Sequence, residues 1–225
     1  MKINFLTIFP KYYEAFKTES IVSKAISKNL IDINIIDFRD FTNDKHKKVD
    51  DEIYGGGPGM LLMVEPIDNA LNSLKEKGKV ILLSPQGKQF TQAMALELSK
   101  EENLTFISGR YEGFDERVRS LIDTEISIGD YVLTGGELPS MVIADSVIRL
   151  IPEVIKESSH QNDSFQNNLL DFPQYTRPRE YKNMFVPEVL LSGNHKNIND
   201  WRVEKQKENT LNKRPDLLER TKNDK

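Results

Sequence analysis

The chain has no cysteine in its 225 residues, only three histidines and a single tryptophan. Without cysteine there are no disulfides, no thiol nucleophile and no zinc–thiolate cluster. His46, His160 and His195 stand at no metal-ligand spacing, so no residue is assigned to a metal. No apolar run approaches the ~20 residues that span a bilayer. The apolar start, Met1 to Pro10, is too short for a signal core and lacks a small-residue cleavage site. The expected setting is therefore the cytoplasm, without a membrane partner. The common phosphate signatures are missing as well. No G-x-G-x-x-G follows a strand, and Pro85-Gln86-Gly87-Lys88-Gln89 lacks the hydroxyl that a P-loop carries after its lysine.

What is present suits a folded globular chain: 38% hydrophobic and 29% charged residues, enough for one core with a small appendage. The net charge of −4 speaks against a nucleic-acid partner, but it is unevenly spread. Residues 176–225 hold 12 Lys+Arg against 8 Asp+Glu, leaving 19 against 27 upstream. A basic tail on an acidic body signals either RNA contact or a solvated helical surface, and charge alone favours the second.

Apolar periodicity predicts strands at Lys2–Ile8, Ile31–Phe38, Val80–Leu83, Leu104–Ser108 and Glu125–Ile128. Helical spacing predicts helices at Pro10–Ser27, Glu65–Lys77, Thr91–Ser99, Phe114–Ile122 and Leu138–Leu150. This β-α alternation implies a mainly parallel sheet covered by helices. After Ile151-Pro152 the character changes. Residues 152–170 read as a polar linker, and 171–225 as a small helical domain with a charged helix around Asn197–Leu211.

Three loops follow three consecutive strands: Ser84–Gly87, Gly109–Gly113 and Ile128–Gly136. Loops at the same ends of parallel strands converge, so they suit one ligand crevice. Each taken singly is ordinary Gly/Pro turn chemistry. Tyr54-Gly55-Gly56-Gly57-Pro58-Gly59-Met60 offers open backbone for a phosphate or a base edge, or else serves as a linker. Arg149 with Asp145 is locally an i,i+4 pair, and Asp163 is locally a solvated residue or a cap.

Together these motifs resemble one family, the bacterial tRNA (guanine-N1)-methyltransferases of the TrmD type. The resemblance rests on Tyr54–Met60, Ser84–Gly87, Gly109–Gly113 and Ile128–Leu133. It continues through Asp163-Ser164-Phe165, Leu170-Asp171, Tyr175-Thr176-Arg177-Pro178 and Leu191-Ser192-Gly193-Asn194-His195. It implies a SPOUT-type α/β fold with a deep trefoil knot, followed by a small helical C-terminal domain. The knotted domain would span residues 1–151, the linker 152–170 and the tRNA-binding domain 171–225.

It further implies S-adenosyl-L-methionine held by Pro85, Gly109, Glu112, Ile128, Gly129, Asp130, Tyr131, Val132, Leu133 and Gly135. Substrate contacts would fall on Asp50, Tyr54, Gly55, Gly57, Gly59, Met60 and Arg177. The implied reaction methylates N1 of guanosine at tRNA position 37, with Asp163 as general base and Arg149 stabilising charge on O6. Partners would be tRNA and a second copy of the chain, with active sites between protomers. Magnesium is associated with the family, without a visible carboxylate cage in this sequence. A SPOUT enzyme acting on ribose hydroxyls or another base, and a non-enzymatic RNA-binding protein, are the competing readings.

Overall fold

The computed structural model describes residues 1–156, 163–165 and 167–223, with side chains to residue 219. Residues 157–162 and 166 of the expected linker, His160 among them, lie outside the described residues, as do 224–225. The chain divides into two compact units, Met1–Lys156 and Glu157–Lys225.

In the first unit β1 (Lys2–Thr7), β2 (Asp32–Asp37), β5 (Lys79–Gln89), β6 (Asn103–Ser108) and β7 (Thr124–Ser127) form an all-parallel sheet in the order β2-β1-β6-β5-β7. Between them β3 (Asp50–Glu52) and β4 (Met60–Leu62) pair as an antiparallel hairpin, unforeseen in sequence, around the glycine-rich loop. Residues alternate between the sheet's faces because successive side chains in a strand point opposite ways. Ile81 and Leu83 enter a cluster with Phe5, Phe106, Ile126 and the inner residues of α2 (Ser20–Ser27), α4 (Gln92–Leu98) and α5 (Glu137–Ile148). Val80 and Leu82 enter another with Leu6, Ile107, Val118 and Ile67, Ala70 and Leu71 of α3 (Val64–Ser73). Both faces are covered, as a parallel sheet requires.

Two expected helices differ. Pro10–Ser27 breaks into a 3-10 turn and the short helices α1 (Glu14–Thr18) and α2, because Ser20 takes a positive φ of 60°. Phe114–Ile122 yields only a 3-10 helix, Glu116–Leu121, begun by Asp115 accepting from the Arg117 amide. The Ser84–Gly87 loop also needs correction. It does not end its strand: β5 bulges out and rejoins, so Leu83 and Lys88 both register with Ile126 of β7.

Gly87 makes that return possible. A Cβ there would sit 2.5 Å from the Ile126 backbone nitrogen and carbonyl carbon, and neither has room to yield. Gly87→Ala should therefore cost about 1–3 kcal/mol of stability through overpacking. An unchanged urea midpoint would show that the strand crossing has slack.

The second unit has little interior. Among its described residues only Thr210 and Leu217 are buried. Its chief element is α7 (His195–Lys213), preceded by the short α6 (Glu188–Leu191) and followed by α8 (Asp216–Asn223). A two-residue hairpin, β8 (Glu180–Tyr181) with β9 (Met184–Phe185), turns through Lys182 and Asn183, both at positive φ.

Candidate active site

The carboxyl ends of β5, β6 and β7 open onto a cleft of about 390 Å³, within the size range of small-molecule sites. All three glycine-containing segments line it. Of the ten residues expected to hold a cofactor, nine are on its wall: Pro85, Gly109, Glu112, Ile128, Gly129, Tyr131, Val132, Leu133 and Gly135. Asp130 is not among the lining residues. Tyr131 and Val132 stay 54% and 84% exposed, so the rim presents apolar surface beside open backbone.

The Tyr54–Met60 segment is the loop of the β3–β4 hairpin. Its glycines Gly55, Gly56, Gly57 and Gly59 all adopt positive φ, and Tyr54 is almost fully exposed. The hairpin abuts the cleft. The Glu112 amide donates to the Met60 carbonyl (3.1 Å), the Leu62 amide to Gly113 (2.9 Å) and the Asp115 amide to Leu62 (2.9 Å). Gly59 lets the Glu112 side chain lie across it, since a Cβ would fall 2.4 Å from Glu112 Cγ. Asp50, half-buried in β3, pairs in register with Leu62 on the same hairpin.

Two ion-pair systems hold the cleft walls, and sequence reasoning missed both. Arg110 Nε lies 2.9 Å from Glu137 Oε2, with the pair almost wholly buried. The N–H is not aimed at that oxygen, so their attraction is that of charges rather than an aligned hydrogen bond. Glu137 stands at the start of α5, where the helix dipole favours a carboxylate. Thr7 Oγ1 donates to its other oxygen at 2.7 Å. Arg110 also donates to the Thr134 carbonyl (3.1 Å), and its guanidinium stacks on Phe9 and Tyr12 at 4.6 and 5.0 Å. One side chain thus ties the β6 loop to the β7 loop and to the first helical turn.

Below it the Tyr13 hydroxyl meets Ser108 Oγ (2.9 Å) and Ser140 Oγ (2.8 Å). Burial pushes the Tyr13 phenol well above its ordinary range, the serine hydrogen bonds opposing only in part. It remains a neutral strut at any physiological pH.

On the opposite wall Arg119 grips Glu125 through Nε (3.1 Å) and Nη2 (2.9 Å), and donates to Gln86 Oε1 at 3.0 Å. Burial would raise the Glu125 pKa, but the hydrogen bonds from Arg119 and Ser84 outweigh it and hold the carboxyl below its usual value. The β5 bulge is thereby fastened to β7.

Arg110→Ala would remove one partner of a buried ion pair and leave Glu137 without its cation, which typically costs about 3–5 kcal/mol. We expect a lower urea midpoint in that variant and looser loops around the cleft. A midpoint within error of the parent would mean that the Arg110–Glu137 pair does not brace the cleft.

Arg149 caps α5, donating its amide to the Asp145 carbonyl at 3.1 Å, with its side chain half-buried. Asp163, also half-buried, belongs to the second unit. Its neighbours are anchored there: Ser164 Oγ accepts from the Asp171 amide (3.0 Å), and the Phe165 amide donates to Leu169 (2.7 Å). Residues 170–171 are in turn bound to α7 through Thr210 Oγ1 and Asn209 Nδ2. Arg177 lies exposed in the same unit, before a cis proline. Among the described residues no group of three or more His, Asp or Glu side chains could hold a metal, and no helix is long and apolar enough to cross a membrane.

A family model described as tRNA (guanine-1)-methyltransferase TrmD matches residues 1–220. A tRNA (guanine-N(1)-)-methyltransferase of Mycoplasmopsis synoviae is 65% identical over 227 residues, with both chains fully covered. The protein of that name from Mycoplasma mobile is 74% identical over 194 residues, covering 86% of this chain and 99% of the relative. A third, from Staphylococcus epidermidis, is 55% identical over 97% of this chain and 91% of its own.

Proposed function

Since the chain belongs to the TrmD family of tRNA (guanine-1)-methyltransferases, we propose that it methylates N1 of guanosine at position 37 of tRNA. The observation that carries this is the family match across residues 1–220, joined to a cleft walled by three converging strand-end loops.

The cleft suits S-adenosyl-L-methionine in size and chemistry. Apolar wall comes from Ile126, Ile128, Val132 and Leu133, open backbone from Gly109, Gly113 and Gly135, and carboxylates from Glu112 and Glu116. The cofactor supplies an electrophilic methyl group when bound. Pro85, Gly109, Glu112, Ile128 to Leu133 and Gly135 are the residues we assign to it, Asp130 resting on the resemblance alone.

N1 of guanine carries a proton at neutral pH and attacks poorly until it leaves. Asp163 would accept that proton as general base. The departing proton spreads negative charge to O6, which the Arg149 guanidinium would offset. Asp50, Tyr54, Gly55, Gly57, Gly59 and Met60 would position the guanosine from the hairpin beside the cleft, after the base has left its stack. Residues 152–170 would act as a linker that presents Asp163 to the bound base. Arg177 and the basic C-terminal domain expected over residues 171–225 would hold the phosphate backbone.

Three further assignments rest on the family. A trefoil knot is proposed on the resemblance, and it would be an exception to the usual avoidance of threading. Homodimerisation agrees with Phe9, Tyr12, Leu138 and Val142 remaining 38–49% exposed on elements joined by the Tyr13–Ser140 bond. A cytoplasmic location agrees with a tRNA substrate. For magnesium the support is the family alone.

Calorimetry with S-adenosyl-L-methionine, then nucleoside analysis of treated tRNA, tests the reading. We expect cofactor binding and 1-methylguanosine. Absence of cofactor binding would favour a non-enzymatic RNA-binding protein, and a 2′-O-methyl product a different SPOUT enzyme.

A further inference from the structure

The second unit carries a cavity of its own, about 220 Å³. Phe172, Pro173, Gln174, Tyr175, Leu190, Ile198, Trp201 and Arg202 line it. None of these residues is buried, although five of them are aromatic or large and apolar. Tyr175 is 49% exposed and tilts against Trp201 with ring centroids 6.5 Å apart. The Arg202 guanidinium covers the Phe172 ring at 4.8 Å.

The residues come from one face of α7, since Ile198, Trp201 and Arg202 follow i, i+3, i+4 spacing. Lys205 continues that face one turn on, its ammonium paired with Glu208. Flat π surfaces that stay open, together with cationic groups on the same helix face, are what unpaired nucleotides stack upon. A buried apolar ligand would instead meet a dry, closed wall.

We propose that this cavity receives one unpaired nucleobase of the RNA substrate, stacked on Trp201 and Tyr175, with Arg202 and Lys205 facing its phosphates. The inference rests on the tRNA reading of the active site but concerns a separate contact. The second unit would then recognise an unstacked nucleotide rather than backbone charge alone.

Trp201 is the sole tryptophan of the chain, so intrinsic emission reports on this cavity directly. Titrating the full-length protein with a tRNA transcript should quench that emission to saturation, because a stacked base deactivates the excited indole. A blunt RNA duplex of similar length should leave it unchanged. Trp201→Ala should raise the KM for tRNA about tenfold while kcat and cofactor affinity stay within twofold, and Trp201→Phe should restore most of the loss. Methyl transfer measured in the same samples separates the two readings. Transfer at saturating tRNA without quenching overturns the cavity and leaves the enzyme intact. Quenching by tRNA alone, without transfer to any tRNA, keeps the cavity and overturns the enzyme. Equal quenching by the duplex overturns the unpaired base. Should Trp201→Ala fail to fold, the wild-type titration still decides.

Discussion

Asp163→Ala is expected to lower methyl transfer by about 10²- to 10⁴-fold, the range that a positioned general base contributes. Affinity for S-adenosyl-L-methionine should stay near the parent value, because the cofactor cleft belongs wholly to the first unit and Asp163 to the second. Ser164 Oγ holds the Asp171 amide and the Phe165 amide holds Leu169, bonds made by other residues of the same turn. Circular dichroism of the variant reports whether the fold survives. Single-turnover transfer with saturating tRNA, beside calorimetry with the cofactor, checks both halves. Turnover within tenfold of the parent would remove Asp163 as the base.

Arg149→Ala should depress the chemical step by about 10²- to 10³-fold, as removal of one group aimed at developing negative charge does elsewhere. The backbone capping bond to Asp145 survives the substitution, so α5 keeps its end. Arg149→Lys is the more discriminating variant, since it keeps the charge but loses the planar fork of donors. Partial recovery with lysine would point to charge at O6. A change confined to cofactor affinity would count against that role.

The sheet was legible because its strands alternate apolar residues or run fully buried, as Val80–Leu83 and Leu104–Ser108 do. The β3–β4 hairpin was not, because Asp50-Asp51-Glu52 is short, acidic and poor in β-formers. Pro85 hid the continuation of β5, since proline normally ends a strand. The bulge tolerates it by leaving the ladder between Leu83 and Lys88.

The cleft could be anticipated from glycine-containing loops after consecutive strands. What braces it could not. Arg110 and Glu137 are 27 positions apart, and their pairing is set only when the Gly136 amide donates a hydrogen bond of 2.9 Å to the Gly109 carbonyl. Arg119 with Glu125 is close in sequence, but nothing local says that Gln86 completes the clamp. The assigned chemistry of Asp163 and Arg149 was carried by the family resemblance alone. Local pattern reads the one as a loop acid and the other as the end of a helix.

The central claim is methyl transfer to one atom of one nucleotide. Radiolabelled S-adenosyl-L-methionine incubated with two tRNA transcripts, identical except for guanosine or adenosine at position 37, tests it most directly. The account predicts label in the guanosine transcript, recovered as 1-methylguanosine, and none above background in the adenosine transcript. Equal labelling of both transcripts, or of neither, would contradict it.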